Sequence, residues 1–320
     1  MTTPFVSVKT ITYNQEKFIA QCIEGIMMQK TNFSFEYIIG EDCSTDGTMK
    51  IVQKYAAKYP DVIRIITDEK NVGAVENDNR TDSACKGKYV AFCEGDDFWT
   101  DPYKLQKQID FLEANEQYGM VHSSFSCLNG DKLVKDVWKN RKIPVGDVLD
   151  SLISGNYIAT ATVCIRNEFL QKIRIANQIK ENKWRMGDYP LWIEVAAQSQ
   201  IAYMTDVTMC YRVHPNSATH GLDWTGDFKF FQSRYQIKNY YAEKYDRKNL
   251  TPFLDKMYHR ELLKYAVFLK DEELRKSCVE YFQTKGSRKE FPYLLFSKYS
   301  FLDSIFEFVY SFRKRAQTLV

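Results

Sequence analysis

The sequence predicts an α/β protein: a mostly parallel sheet flanked by helices, with a helical extension at the C-terminal end. Three observations support this. Short β-type runs alternate with helical patterns over the first hundred residues, joined by turns of a few residues. Each of these strands ends in polar or acidic residues, as "TYN", "ED", "TDEKN" and "EGDD". Beyond about residue 221 the strand signals stop, and 226–320 reads as almost entirely helical and rich in Lys, Glu, Tyr and Phe.

Taken in order, "FVSVKTI" (5–11) is a strand, and Phe18, Ile19, Cys22, Ile23, Ile26 and Met27 then recur at helical spacing. "FEYIIG" (35–40) is a second strand, "CSTDGT" a turn rich in N-cap residues, and "MKIVQKYAAKY" a second helix. "VIRII" (62–66) and "KYVAFC" (88–93) are the third and fourth strands, separated by a loop and helix in "NVGAVENDNRTDSACKG". A helix is expected over 103–117, an extended run over 119–128, and a mixed region over 129–180 with a hairpin, the helix "VGDVLDSLISG" and the strand-like "IATATVCI". "DYPLWIEVAAQS" (188–199) is helical and 201–214 extended. The pattern places a domain boundary near 220. It separates a 1–220 domain, with halves 1–102 and 103–220, from a helical region over 221–320.

Composition narrows the class. The 320 residues are 44% apolar and 27% charged, which describes a globular chain rather than a disordered one. A net charge of +3 is too small to argue for nucleic acid as partner. Eight cysteines are scattered without C-x-x-C or finger spacing, so they read as free thiols in a reducing compartment. The N-terminus enters a strand without a signal-peptide pattern, and no apolar run approaches the ~18 residues of a membrane span, so a cytoplasmic location is expected.

"YVAFCEGDDFWTDP" (89–102) concentrates Glu94, Asp96 and Asp97 at the end of a buried strand, where folding alone gives little reason to put them. In open parallel sheets ligands sit beyond the carboxyl ends of the strands. Carboxylates clustered there suit Mg or Mn held by one or two acids plus substrate phosphates. The alternative is an acidic turn that caps the next helix, since Asp101-Pro102 is also a helix-start signal. The first strand-to-helix turn carries no glycine, so neither a dinucleotide fingerprint nor a Walker loop is present.

From about Val6 to Ser217 the chain resembles the family 2 glycosyltransferases, with their A-type nucleotide-diphospho-sugar fold. The resemblance rests on "VSVKTITYNQEKFIAQCIEGIMMQ", "YIIGEDCSTDGT", "NVGAVENDN", "EGDD", "GDYPLW" and "YRVHPNS", which occur in the family's order. It implies that Thr12, Tyr13, Asn14 and Glu41 line the base and ribose pocket, with Glu41 where the family usually has Asp. Asn71 and Gly73 would shape the loop under the nucleotide. Asp96 would hold a divalent metal, with Glu94 near ribose or a metal-bound water and Asp97 beside it. His214 would be a nitrogen ligand to the metal or a donor to the diphosphate, with Arg212 a fixed cation beside it. Asp188 would be the single base of an inverting transfer, although an N-cap carboxylate fits the same position. The family's Arg-Asn after the loop is not cleanly present; Asn77, Asp78 and Asn79 stand in that area without assigned roles.

The expected function is therefore metal-dependent, inverting, hexosyltransferase-type transfer from a nucleotide-diphosphate sugar, UDP-sugar favoured. The acceptor would be a glycan or lipid-linked glycan in surface polysaccharide synthesis. A catalytically inactive scaffold of the same fold and a nucleotidyltransferase are the alternatives. The helical pattern of Phe301, Leu302, Ile305, Phe306, Phe308, Val309 and Phe312, followed by Arg313, Lys314 and Arg315, outlines either a peripheral membrane contact over 301–315 or a packing helix. Homo-oligomerisation is left open.

Overall fold

The computed structural model describes residues 4–173, 175–215, 217, 223–308 and 310. Val309 and Phe312, the Arg313–Lys314–Arg315 cluster and His220 lie outside them. Two compact units divide between His214 and Pro215.

The first unit is built on a nine-stranded sheet. Its first half runs β1 (Val6–Thr12), α1 (Ile19–Met27), β2 (Phe35–Glu41), α2 (Thr48–Lys58), β3 (Ile63–Ile66), α3 (Ala74–Ala84) and β4 (Tyr89–Phe92). Then follow β5 (Phe98–Trp99), α4 (Lys104–Ala114), β6 (Tyr118–Asn129), β7 (Lys132–Val134) and α5 (Leu149–Ser154). The unit closes with β8 (Cys164–Arg166), α6 (Asn167–Lys172), α7 (Ile175–Asn182), α8 (Asp188–Ala196) and β9 (Gln200–Val213). Strand order is β3-β2-β1-β4-β8-β6-β9-β5, with β7 paired to β6.

The first four strands are mutually parallel, as the β–helix alternation requires. β8 is antiparallel to both β4 and β6, while the long β6 and β9 run parallel through a bulged register. "IATATVCI" contributes only a 3₁₀ turn at Thr160–Thr162 and the first two residues of β8, so the strand is shorter than its apolar run suggests. β5 shows no periodicity in sequence and exists through its pairing with β9, Phe98 to Cys210 and Trp99 to Met209.

Alternation along β1 sets up the site. Val6 and Val8 pack with Ile19, Cys22, Ile23 and Ile26 of α1 in the main core. Thr10 hydrogen-bonds the Tyr37 hydroxyl at 2.9 Å on the same face. Ser7 and Lys9 face α3 instead, where Lys9 pairs with Asp78 and Asp82. Gly25 lets α1 approach β5: a Cβ there would lie 2.8 Å from the Trp99 carbonyl oxygen.

The second unit carries helices α9 (Trp224–Lys244), α10 (Thr251–Phe268), α11 (Glu272–Thr284) and α12 (Phe291–Lys298). Its core joins Phe231, Leu262, Leu263, Tyr265, Val267, Cys278 and Phe282. Asp271 caps α11 by accepting from the Glu273 and Leu274 amides. No helix among the described residues is long and apolar enough to cross a membrane.

Candidate active site

The ends of β1 and β2 are laced together by side chains. Asn14 sits at φ 53° and accepts from the Thr45 amide at 2.8 Å, while its own amide donates to Ser44 Oγ at 3.0 Å. Thr12 Oγ1 donates to Gln15 Oε1 at 2.7 Å, and Tyr13 stays exposed. Glu41 is fully buried, and its carboxylate folds back to accept from the Cys43 and Ser44 amides at 3.0 and 2.8 Å. Glu41, Asn14 and Asn71 are thus bound to the loops at the end of β2.

The loop under α3 depends on two residues that sequence reasoning did not single out. Asp42 accepts from the amides of Val72 at 2.8 Å and Gly73 at 3.0 Å, and its carbonyl accepts from Asn71 Nδ2 at 3.1 Å. Gly73 has φ 84°, the left-handed region where glycine is favoured. Arg80 reaches back to the Glu41 carbonyl at 2.9 Å and lies 3.6 Å from Asp42 Oδ1. Its position seven residues after Gly73, two helical turns, was the available signal.

The acid turn is completed from the far end of the unit. Gly95 is packed so closely on β1 that a Cβ would fall 2.3 Å from Gln15 Oε1. Because β5 pairs with β9, the end of β9 arrives beside Asp96 and Asp97. The Arg212 amide donates to Asp97 Oδ1 at 2.8 Å, and its Nε donates to the Asp96 carbonyl at 2.9 Å. The Arg212 guanidinium lies between the rings of Phe18 and Phe98, 4.8 and 5.0 Å from their centroids. His214 Nε2 stands 3.0 Å from Asp96 Oδ2, with its ring 4.6 Å from that of Phe18.

These partners offset the acids only in part. Burial, with Asp96 and Asp188 nearby, pushes the Glu94 carboxyl up to about 8, and Glu94 Oε2 is buried without a hydrogen-bond partner among the described residues. Burial, reinforced by Asp96 and Glu94, also raises Asp97 well above the usual carboxylate range. A cation at this turn would relieve both effects. Among the described residues no three His, Cys, Asp or Glu side chains form a self-contained metal cage. A carboxylate oxygen and an imidazole nitrogen at Asp96 and His214 are nonetheless a donor pair that suits a divalent ion sharing its remaining positions with phosphate oxygens.

Asp188 opens α8 at its first position, with Gly187 as the N-cap residue. Its carboxylate accepts from Thr160 Oγ1 at 3.0 Å and from the Tyr189 amide at 2.7 Å. Burial raises its pKa against those two hydrogen bonds, and it lies near enough to Glu94 to raise that group in turn. Glu94, Asp96, Asp97, Arg212, His214 and Asp188 therefore share one edge of the sheet.

A mostly parallel sheet with acids and a histidine gathered at its carboxyl edge has the A-type nucleotide-sugar transferase fold of its solved structural neighbours. Residues 7–171 match the model for glycosyl transferase family 2, and the chain belongs to that family. It is 31% identical to the putative teichuronic acid biosynthesis glycosyltransferase TuaG of Bacillus subtilis, over 67% of this chain and 81% of that one. An uncharacterised Mycobacterium tuberculosis protein is 32% identical over 72% of this chain, which spans 64% of that relative's length. Among solved structures, Staphylococcus aureus TarS in complex with UDP-GlcNAc superposes with a TM-score of 0.53 at 18% identity, covering 91% of this chain and 79% of that chain. The Pyrobaculum calidifontis mannosyltransferase PcManGT, in complex with GDP-Man and Mn2+, gives 0.55 at 16% identity, covering 94% and 86%.

Proposed function

We propose that this glycosyltransferase moves a sugar, with inversion, from a nucleotide-diphosphate donor to a glycan or lipid-linked acceptor in surface polysaccharide synthesis. A UDP-sugar is the favoured donor. The observation that carries the reading is the 3.0 Å approach of His214 Nε2 to Asp96 Oδ2, a metal-ligand pair assembled from two distant strand ends. Thr12, Tyr13, Asn14, Glu41 and Asn71 would form the nucleotide side, through the turn that Glu41 and Asp42 hold in place.

Asp188 is the base in this reading. Its raised pKa keeps it closer to the acceptor hydroxyl in proton affinity than an exposed aspartate would be, and Thr160 fixes its orientation. Arg212 holds Asp96 and Asp97 in register and keeps its charge beside the diphosphate. A divalent ion, Mn or Mg, held by Asp96 and His214 would supply positive charge for the departing diphosphate. The enzyme would act in the cytoplasm at the inner face of the membrane, touching lipid through 301–315. Among the described residues there, Phe301, Ile305 and Phe308 are exposed apolar side chains, while Phe306 packs on Phe296.

The test is a thermal-shift titration with UDP, GDP, dTDP and CMP, each with Mn2+ or with EDTA. Stabilisation by one nucleotide that vanishes with EDTA and in Asp96→Ala is the expected result. No stabilisation of folded protein by any nucleotide would overturn the reading.

A further inference from the structure

The residues given roles so far leave one buried ion cluster without a task. Lys9 is only 3% exposed in the middle of a central strand, where an apolar residue would pack as well. Its Nζ lies 2.6 Å from Asp78 Oδ1, hydrogen-bonds Asp82 and sits 4.9 Å from the centre of the Phe92 ring. Phe92 closes β4 just before the acid turn and meets the Trp192 ring of α8 edge-on at 5.5 Å. The cluster therefore occupies the face of the sheet on which Asp188 stands.

The two carboxylates around Lys9 differ. The Asp82 side chain is 16% exposed, and that of Asp78 is 37% exposed. Asp78 Oδ1 is taken by Lys9, and Oδ2 accepts nothing among the described residues. Asp78 also sits in α3, which begins directly at the 71–73 loop, and it is one of the groups that raise the pKa of Asp188. The sugar of a bound donor has to lie between its diphosphate and the base. An anchored carboxylate on the helix that follows the 71–73 loop, near enough to Asp188 to act on it electrostatically, is therefore placed to meet it.

We propose that Asp78, tied in place by Lys9, is a specificity-determining residue that accepts a hydrogen bond from a hydroxyl of the donor's sugar. This rests on the reading of the site as a nucleotide-sugar site. Lys9 orients one oxygen and keeps the other available, while Asp82 gives the buried ammonium a second partner and holds α3 to the sheet.

The experiment is calorimetric binding in Mn2+ of UDP, UDP-glucose, UDP-galactose, UDP-GlcNAc, GDP and GDP-mannose to the full chain and to Asp78→Asn, Asp78→Glu and Asp82→Asn. The wild type should bind one nucleotide sugar. Asp78→Asn should weaken that binding by roughly 10- to 100-fold while leaving the matching nucleoside diphosphate within about twofold. Asp78→Glu keeps the ion pair but displaces the second oxygen, and should lose sugar binding as well. Asp82→Asn should lower the melting temperature without changing the ratio of sugar-nucleotide to diphosphate affinity. Unchanged sugar binding in both Asp78 variants would overturn the inference alone. A wild type that binds none of these compounds would overturn the functional reading, and the inference with it.

Discussion

At the scale of single residues the site turns on how unfavourable charges are kept. Asp188 can accept a proton only when ionised, and burial raises its pKa above the ordinary value of about 4. The rate should therefore fall as pH drops through that raised value, with the acidic limb starting higher than for an exposed aspartate. Asp188→Asn should remove the limb and lower kcat by roughly 10²- to 10⁴-fold while nucleotide binding persists. A variant that kept most of its rate would exclude Asp188 as the base. His214→Ala should abolish the EDTA-sensitive part of nucleotide stabilisation; retention of Mn2+ dependence would remove His214 from the metal site. That Glu94, Asp96, Asp97, Asp188 and His214 gather at one sheet edge was legible because strand ends of this kind collect polar side chains and the short motifs come in order. Asp42 was not, because it acts through backbone amides that only the folded loop presents, and Arg80 offered only its spacing from Gly73.

At the scale of elements, the sheet was legible where apolar runs are bounded by turns and illegible where pairing alone defines a strand. β5 is two residues long and is a strand only because β9 lies beside it. That small element carries much of the site's precision, since it sets the register in which Arg212 meets Asp97. Gly25 is the close contact that lets α1 lie against it, with a Cβ position 2.8 and 2.9 Å from Trp99 backbone atoms. Backbone cannot move aside as a flexible side chain can. Gly25→Ala should therefore destabilise the fold by about 1–3 kcal/mol in chemical denaturation and weaken nucleotide binding through the displaced acid turn. A neutral Gly25→Ala would mean that α1 and β5 can separate freely.

At the scale of the whole molecule, the helical unit is bound together by stacked aromatics and ion pairs. Trp224 stacks on Phe268 at 4.1 Å, and Arg275 pairs with Asp303 at 2.7 Å beside the core. Its helical character was plain in the sequence, but which tail residues would be left outward was not, because aromatic spacing serves packing and surface equally. Phe301 and Phe308 prove largely exposed, at 76% and 72%. If they meet a bilayer, co-sedimentation with anionic vesicles should be lost in the double variant Phe301→Ser/Phe308→Ser and weakened by salt. Equal binding by wild type and variant would assign these rings another purpose.

The Asp96–His214 contact joins positions 118 residues apart, and this has a consequence for the newborn chain. At ~5–20 residues per second, the ribosome adds His214 roughly 6–24 s after Asp96. Through that interval the parallel half of the sheet can already be made, with its acids in place and its imidazole still unwritten. Until then the contact between Asp96 and His214 does not exist. The acid turn is therefore completed in a late step, when β9 pairs with β5 and brings Arg212 and His214 to Asp96 and Asp97.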